Sequence, residues 1–442
     1  MPVLRRSAPA VHHPLSAADP AQRPRTAPAP SEGGFITASP SRLPAAPRVG
    51  YREVLHVPCA RRLLAGTLIG RMPTAMAPLA LLLVTADAQG YGTASAEAAV
   101  YLLASAVGGP LSGRLADRYG QVKAFTAGSA LSNTALIGVV TGPRQTAWAV
   151  GCVLIAGTVR PALESGLRAL WGPAENSAMP TRAHQQTALA LETAVQELIY
   201  IVGPLAVMAI AVLLCAQGAL LATAALGMAG TAVVVSTPVS RAWRAAPGPA
   251  DWLGPIRSAP LRTLYLAMVG VGIPIGAITP LAVAAAARFH TPSLAGVLPA
   301  ALSAGAVLGG LLYGARTRPG TPNLTVLSGV FAAGWLPLTA AGHPATAAVA
   351  AAVAGLSMAA LLGSAFVVAG SLAPSRSVTE AYALLVAALD IGCALGTAAA
   401  GLLPTAAILP AGAAAGAAVL AAAGPPAVTG HRPVSCSTPE GA

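Results

Sequence analysis

GGPLSGRLADRYGQVK, residues 108–123, is the stretch on which the reading of this chain turns. It separates two long apolar runs and carries Arg114, Asp117, Arg118 and Lys123 among four glycines. Small residues let two membrane helices approach closely, so Gly109 and Gly113 are expected at a helix–helix contact. Asp117, Arg118 and Lys123 need water. They belong at the mouth of a bilayer, in a charged hairpin that joins one membrane helix to the next.

Composition extends this reading to the whole chain. Of 442 residues, 55% are hydrophobic and 9% charged, whereas soluble domains carry about a quarter charged residues. No soluble surface can be built from that supply, so lipid must cover much of the protein. Between about residues 62 and 428 apolar runs alternate with short polar breaks, and each run is close to the ~20 residues that span a bilayer. Twelve such runs are present. Transmembrane strands would need short alternating segments. The predicted fold class is therefore all-α integral membrane, with twelve transmembrane helices. No cleavable signal peptide is expected in the first 50 residues, which lack an apolar core.

Arginine placement sets the orientation. With both termini in the cytoplasm, the inner connections hold Arg114, Arg118, Lys123, Arg168, Arg182, Arg241, Arg244, Arg257, Arg262, Arg316, Arg318 and Arg376. The outer connections then hold only Arg144 and Arg288. The formal charge of +12 is thus a topology signal. Nucleic-acid binding is not expected, because the basic residues are spread over many loops with no recognition motif. Cys59, Cys152, Cys215, Cys393 and Cys436 are scattered without metal spacing, so neither a metal nor a cofactor is expected.

Five segments follow. Residues 1–50, rich in Pro, Ala and Arg, read as a disordered cytoplasmic tail, either regulatory or dispensable. Residues 51–238 form an N-terminal six-helix half. Residues 239–260, with Pro247, Gly248 and Pro249, form a cytoplasmic linker. Residues 261–428 form a C-terminal six-helix half, and 429–442 a cytoplasmic tail. The halves echo one another: Gly108-Gly109-Pro-Leu-Ser-Gly113 has a counterpart in Gly309-Gly310-Leu-Leu-Tyr-Gly314. The second copy has no acid matching Asp117. Two pseudo-symmetric halves are what such a repeat implies.

Ionisable groups inside a bilayer are costly and mark functional sites. Arg71, Arg160 and Glu197 all fall near ~13–16 Å depth on a rise of ~1.5 Å per residue, and Asp390 reaches a similar depth in the other half. Arg160 and Glu164 are four apart, so they share a helix face and can pair. The expectation is a network of Arg71, Arg160, Glu164 and Glu197 that is either a proton and substrate site or a static lock. Glu192 is expected nearer the interface, reached by water. Asp390 has no basic partner at its depth within its own half. It is either a hydrogen-bonded neutral acid or a substrate contact. Gly203-Pro204 predicts a kink in the fifth helix, and Pro274 and Pro280 a bend in the seventh. Ser377 and Glu380 have the spacing of a capping box. His290 is expected in a solvated loop.

The 108–123 segment resembles the loop between the second and third helices of the major facilitator superfamily, whose pattern runs G-x-L-x-D-R-x-G followed by basic residues. Gly113, Leu115, Asp117, Arg118, Gly120 and Lys123 fit it, while Gln121 and Val122 stand where basic residues are frequent. The resemblance covers about residues 52–428. It implies that Gly113, Asp117, Arg118, Gly120 and Lys123 form a gating motif, which the start of the eleventh helix, near Glu380, helps to hold shut on one side. It also implies that Arg71, Arg160, Glu164, Glu197 and Asp390 line a central site. The Gly203-Pro204 element resembles a shortened form of one carried by the family's exporters, without its further glycines. An arginine at Arg160 is also an exporter feature, although Pro161 and Glu164 depart from the pattern. Within the superfamily the chain is most similar to the actinobacterial branch of proton-coupled exporters.

The function implied is proton-coupled export of a small organic molecule by alternating access, by a monomer in the inner (cytoplasmic) membrane. Its partners would be the substrate, protons and the lipid bilayer. An importer of a sugar, amino acid or organic anion is the alternative, since two cavity arginines suit an anion. A membrane-embedded transferase would need a polar catalytic cluster, which the dispersed histidines do not supply. An ATP-driven pump would need a G-x-x-x-x-G-K-[ST] loop, which is missing from the sequence. No enzymatic activity is expected.

Overall fold

The computed structural model describes residues 50–143, 145–171, 179–243, 254–316, 323–373, 378–403 and 405–423. The proposed tails, residues 244–253 of the 239–260 linker and the side chains of Ser377 and Glu380 lie outside the described residues. Among those residues every regular element is a helix. In chain order they are α1 (Tyr51–His56), α2 (Ala60–Gln89), α3 (Tyr91–Tyr119), α4 (Gln121–Thr141), α5 (Thr146–Thr158) and α6 (Leu163–Trp171). Next come α7 (Arg182–Leu213), α8 (Ala216–Val235), α9 (Pro238–Ala242), α10 (Gly254–Arg257), α11 (Ala259–Arg288) and α12 (Leu294–Arg316). The last are α13 (Leu324–Gly334), α14 (Leu336–Thr339), α15 (Pro344–Gly355), α16 (Met358–Leu372), α17 (Val378–Leu402) and α18 (Ile408–Ala423).

Among the described residues ten spans are long and apolar enough to cross a membrane, and two shorter apolar segments, Leu324–Thr339 and Ile408–Ala422, bring the number to twelve. Two of the ten are interrupted. The fourth span pauses between Thr158 and Leu163 because Pro161 has no N–H to donate and steers Arg160 out of the helical region. The other, Pro344–Leu372, the tenth of the twelve, pauses at Leu356 and Ser357, between α15 and α16, with no proline there.

The hairpin at 108–123 is tighter than expected. α3 continues through Tyr119 and α4 begins at Gln121, so Gly120 alone makes the turn. Its φ of 87° is one that L-residues other than glycine adopt only with strain, and its N–H closes α3 on the Ala116 carbonyl at 2.8 Å. Gln121 is buried. It donates from Nε2 to the Gly166 carbonyl at 3.0 Å and accepts from the Ser240 hydroxyl at 3.1 Å. The position that departs from the basic pattern therefore ties α4 to α6 and α9.

Helix packing repeats along the chain. α2 packs on α8 through Gly70 and Gly230, and α11 packs on α18 through Gly270 and Gly416. α3 meets α5 where Gly108 abuts the Thr158 carbonyl and Gly157 abuts the Tyr101 carbonyl. α12 meets α15 in the same way, Gly309 on the Leu356 carbonyl and Gly355 on the Leu302 carbonyl. Both glycine-to-carbonyl contacts fall at the helix interruptions, where a carbonyl is released from the regular ladder. This corrects the expectation for the hairpin glycines. Gly108 makes the close approach, whereas Gly109 and Gly113 face open space.

Packing across the two sets is uneven. α3 and α17 are sealed near the start of α3, where Gly401 touches Ser95. α7 and α12 meet where Gly296 abuts the Pro204 carbonyl and Met208. At the opposite end of α3, Leu111, Leu115, Asp117 and Arg118 are exposed. α7 runs unbroken through Gly203 and Pro204, and Gly203 lets α7 close on Ala75 and Met76 of α2. α11 is likewise continuous through Pro274 and Pro280. His290 is exposed in the turn before α12, at a φ of 52°.

Candidate functional site

α6 is a short amphipathic helix. Leu163, Leu167, Leu170 and Trp171 are buried against Phe125 and the surrounding core. The 3.6-residue period then turns Glu164 and Arg168 the other way, toward α2 and α7. Arg71 of α2 donates from Nη2 to Glu164 Oε2 at 2.6 Å. Arg168 donates from Nη2 to Glu164 Oε1 at 2.8 Å and from Nε to Glu192 Oε2 at 3.1 Å. Two guanidinium groups and two carboxylates thus alternate across α2, α6 and α7.

Here the sequence expectation needs correction. Arg160 and Glu164 do not share a regular helix face, because the interruption at Val159–Ala162 separates them. Arg160 instead donates from Nη1 to the Thr74 hydroxyl at 2.5 Å. Its charge still acts on Glu164, Tyr101, Tyr200 and Asp390. Glu192 is also misplaced by the expectation of water access, being 2% exposed and held by Arg168.

Glu197, one helical turn beyond Glu192 on α7, lies within the field of Arg71 but forms no ion pair among the described residues. Asp390 of α17 interacts with Arg160 and Glu164 from across the molecule. It forms no hydrogen bond and no ion pair among the described residues. Tyr200, three residues after Glu197, feels Arg71, Glu164, Arg160 and Asp390. Of the five sequence-predicted residues Arg71, Arg160, Glu164, Glu197 and Asp390, the structure joins Arg71 and Glu164 directly and ties Arg160 to Thr74 of the same helix as Arg71. It adds Thr74, Arg168, Glu192 and Tyr200.

The missed residues had a signal. Arg168 stands four after Glu164, the spacing that had suggested Arg160 as the partner, and Tyr200 stands three after Glu197. Glu97 of α3 was visible as an acid inside an apolar run. It is buried, 1% exposed, and accepts from the Thr85 hydroxyl at 2.7 Å, with its other oxygen unpartnered among the described residues. It lies toward the other end of α3 from Asp117, near the Ser95 seam.

The gating motif is divided. Asp117 and Arg118 occupy the last turn of α3 and are exposed, and Asp117 forms no ion pair among the described residues. Arg118 stacks over the ring of Tyr119, 5.5 Å from its centroid. Lys123 is exposed in the first turn of α4. The contact expected between this motif and Glu380 lies outside the described residues.

No protein-family model matches the chain, and no characterised protein matches it by sequence. Solved structures do match it. A crystal structure of a peptide transporter, POT, is 16% identical with a TM-score of 0.63, covering 85% of this chain and 96% of that one. The nucleoside transporter NupG is 12% identical with a TM-score of 0.63, covering 81% and 97%. A bacterial homologue of the human lysosomal transporter Spinster, inward-facing and unoccupied, is 15% identical with a TM-score of 0.56, covering 78% and 82%. Likeness at this identity speaks for architecture, and the architecture agrees over nearly the whole described chain. The chain shares the fold of these transporter structures.

Proposed function

We propose that this protein is a secondary active transporter that exports a small organic molecule in exchange for protons, by alternating access. The observation that carries the reading is the alternation Arg71–Glu164–Arg168–Glu192 inside a transporter-like fold, with Arg160, Glu197 and Asp390 as further ionisable groups in the membrane spans. Three cations and four carboxylates at this depth are expensive unless they are paired or exchanged with a ligand or proton. Protonation of one carboxylate would release its arginine. Re-pairing would restore it, and each state would favour a different packing of α2, α6 and α7.

The interrupted fourth and tenth spans support the same reading. Transporters place binding groups where helices are discontinuous, and Arg160 is at such a point. With both termini in the cytoplasm, as the arginine distribution implies, the Ser95–Gly401 and Pro204–Gly296 seams close the outer side. The exposed Asp117 end is then the cytoplasmic gate, and this conformation opens inward. Residues 51–238 and 261–428 serve as the rocking halves, with 239–260 as their linker. The exporter direction and the actinobacterial exporter affinity rest on Arg160 and the Gly203-Pro204 element.

The test is tolerance of a compound panel in a bacterial host lacking its own efflux pumps, with uptake of the same compounds followed in parallel. Raised tolerance with lowered accumulation is expected. Raised accumulation under an imposed proton gradient would reverse the direction to import. No change in either, with the protein verified in the membrane, would count against transport of that panel's chemistry.

A further inference from the structure

Glu97 of α3 stands outside the central ion pairs, yet it is buried to 1% exposure. Its Oε2 is 2.7 Å from the Thr85 hydroxyl of α2. Its Oε1 is buried and has no hydrogen-bond partner among the described residues. No arginine or lysine among them reaches it. Contacts on three sides define the place. α2 and α3 are joined by Gly90 alone, at a φ of 86°, so Thr85 and Glu97 meet just inside that turn. Two residues before Glu97, Ser95 is covered by Gly401 of α17, which also approaches the Gly92 carbonyl. The start of α5 is tied in where Thr146 donates to Gln89 Oε1 at 2.6 Å.

The elements packed against α3 bring no counter-charge to this spot. Nearby on α3 the titratable groups are Tyr91 and Tyr101, and on α5 Cys152. α17 carries Tyr382, Asp390 and Cys393, all further from the seam than Gly401. Arg160 is held at Thr74, eleven residues or about 16 Å along α2 from Thr85. Arg71 lies further along α2 and pairs with Glu164 of α6, which also pairs with Arg168. Lys123 of α4 and Arg114, Asp117 and Arg118 of α3 are at the opposite end of the hairpin. The side chains of Asp87, Arg144 and Glu380 lie outside the described residues. An ionised carboxylate at Glu97 would give up its hydration for a single hydroxyl. A neutral acid keeps the same hydroxyl and leaves only one polar hydrogen to place.

Resting on the alternating-access reading above and its orientation, we propose that Glu97 is a second proton-binding site, separate from the Glu164 network. It holds its proton while the outer seam is closed and exchanges it with the outer medium when the seam opens. Packed together, Ser95 and Gly401 keep water from the carboxyl. Their separation lets water hydrate it: the O–H bond breaks, its electron pair stays on the carboxylate, and the proton passes to water. Closure reverses the step. The proton enters and leaves on one side, so it sets when the seam shuts and is not among the protons exchanged for substrate. Acid outside favours the closed seam.

The test uses the purified full-length protein in lipid nanodiscs, with its native cysteines replaced. Spin labels are placed on Ala96→Cys and Leu403→Cys, two exposed positions flanking the seam. Pulsed magnetic resonance reads the label separation from about pH 5 to pH 9. Infrared difference spectra of the unlabelled protein read protonated carboxyls through their carbonyl stretch. The ratio of open to closed seam is expected to rise with pH, by up to about tenfold per unit for one proton. Glu97→Gln copies the neutral acid, so it should stay closed throughout and lose one carboxyl band. Glu97→Asp should restore the pH response with a displaced band, which a merely structural side chain would not do. Three results would each overturn the proposal: an unchanged pH response in Glu97→Gln, one label separation at every pH in the intact protein, or no band lost at neutral pH. Compound-driven proton movement alongside any of them leaves the transport reading standing and removes this one. A pH response that needs Glu97, in a protein that moves no compound of the panel, does the reverse.

Discussion

Gly108 of α3 stands so close to the carbonyl oxygen of Thr158, the last residue of α5, that a β-carbon on it would overlap that oxygen. Gly309 of α12 has the same relationship to the carbonyl of Leu356, just past the end of α15. The pair of contacts is the internal repeat expressed as geometry. In each, a helix interruption frees a carbonyl and a glycine on the neighbouring helix fits against it.

Gly108→Ala and Gly309→Ala are each expected to lower stability by about 1–3 kcal/mol, since backbone must move to admit the methyl group. Gly109→Ala is the control. Its β-carbon meets nothing, so it should be neutral or slightly stabilising, by up to ~1 kcal/mol for a helical glycine. Thermal unfolding of the purified protein in detergent distinguishes them; equal losses at Gly108 and Gly109 would contradict the packing.

Arg168→Met leaves Glu192 buried without its partner. Because Arg168 is 40% exposed while Glu192 is 2% exposed, the loss should be about 1–3 kcal/mol, below that of a fully buried pair. Adding Glu192→Met should recover part of it, because no charge is then stranded. A double variant less stable than the single one would mean that the pair contributes more than its burial costs.

Gly120→Ala must adopt a φ of 87° and is expected to cost about 1–2 kcal/mol. Gln121→Ala removes two buried hydrogen bonds, one to the Gly166 carbonyl and one from the Ser240 hydroxyl, for a loss of about 1–3 kcal/mol. Unfolding midpoints of both variants check this, and an unaffected Gln121→Ala would show that the turn does not depend on the contact with α6.

Asp117→Asn should behave differently. Asp117 is exposed and forms no ion pair among the described residues, so stability should change by less than ~0.5 kcal/mol. If the exposed end of α3 closes in the other conformation, the change shifts that equilibrium and slows net transport by about fivefold or more. A stable variant that transports at the normal rate would remove Asp117 from the gate.

The fold was legible because the bilayer imposes one length and one composition on each span, and twelve runs could be read without any packing information. The hairpin residues Asp117 and Arg118 were legible for the same reason. Local geometry was harder. The i, i+4 rule pointed Glu164 toward Arg160, yet Pro161, visible between them, breaks the helix that the rule assumes. Gly109 and Gly113 were favoured over Gly108 because glycine spacing does not say which face meets a neighbour. Glu192 read as interfacial from its place in α7, since depth along a helix says nothing about which helices surround it. Asp390 stood without a partner in the sequence, and it forms no hydrogen bond or ion pair among the described residues.

The central claim is that the Glu164 charge network couples protons to a substrate. The most direct measurement uses everted membrane vesicles from an efflux-deficient host, with a respiration-driven pH gradient monitored by a fluorescent weak base. A compound to which the protein confers tolerance is added. Vesicles carrying the intact protein should lose part of the gradient on addition, and Glu164→Gln vesicles with the same amount of protein should not. An equal response from both would contradict the account.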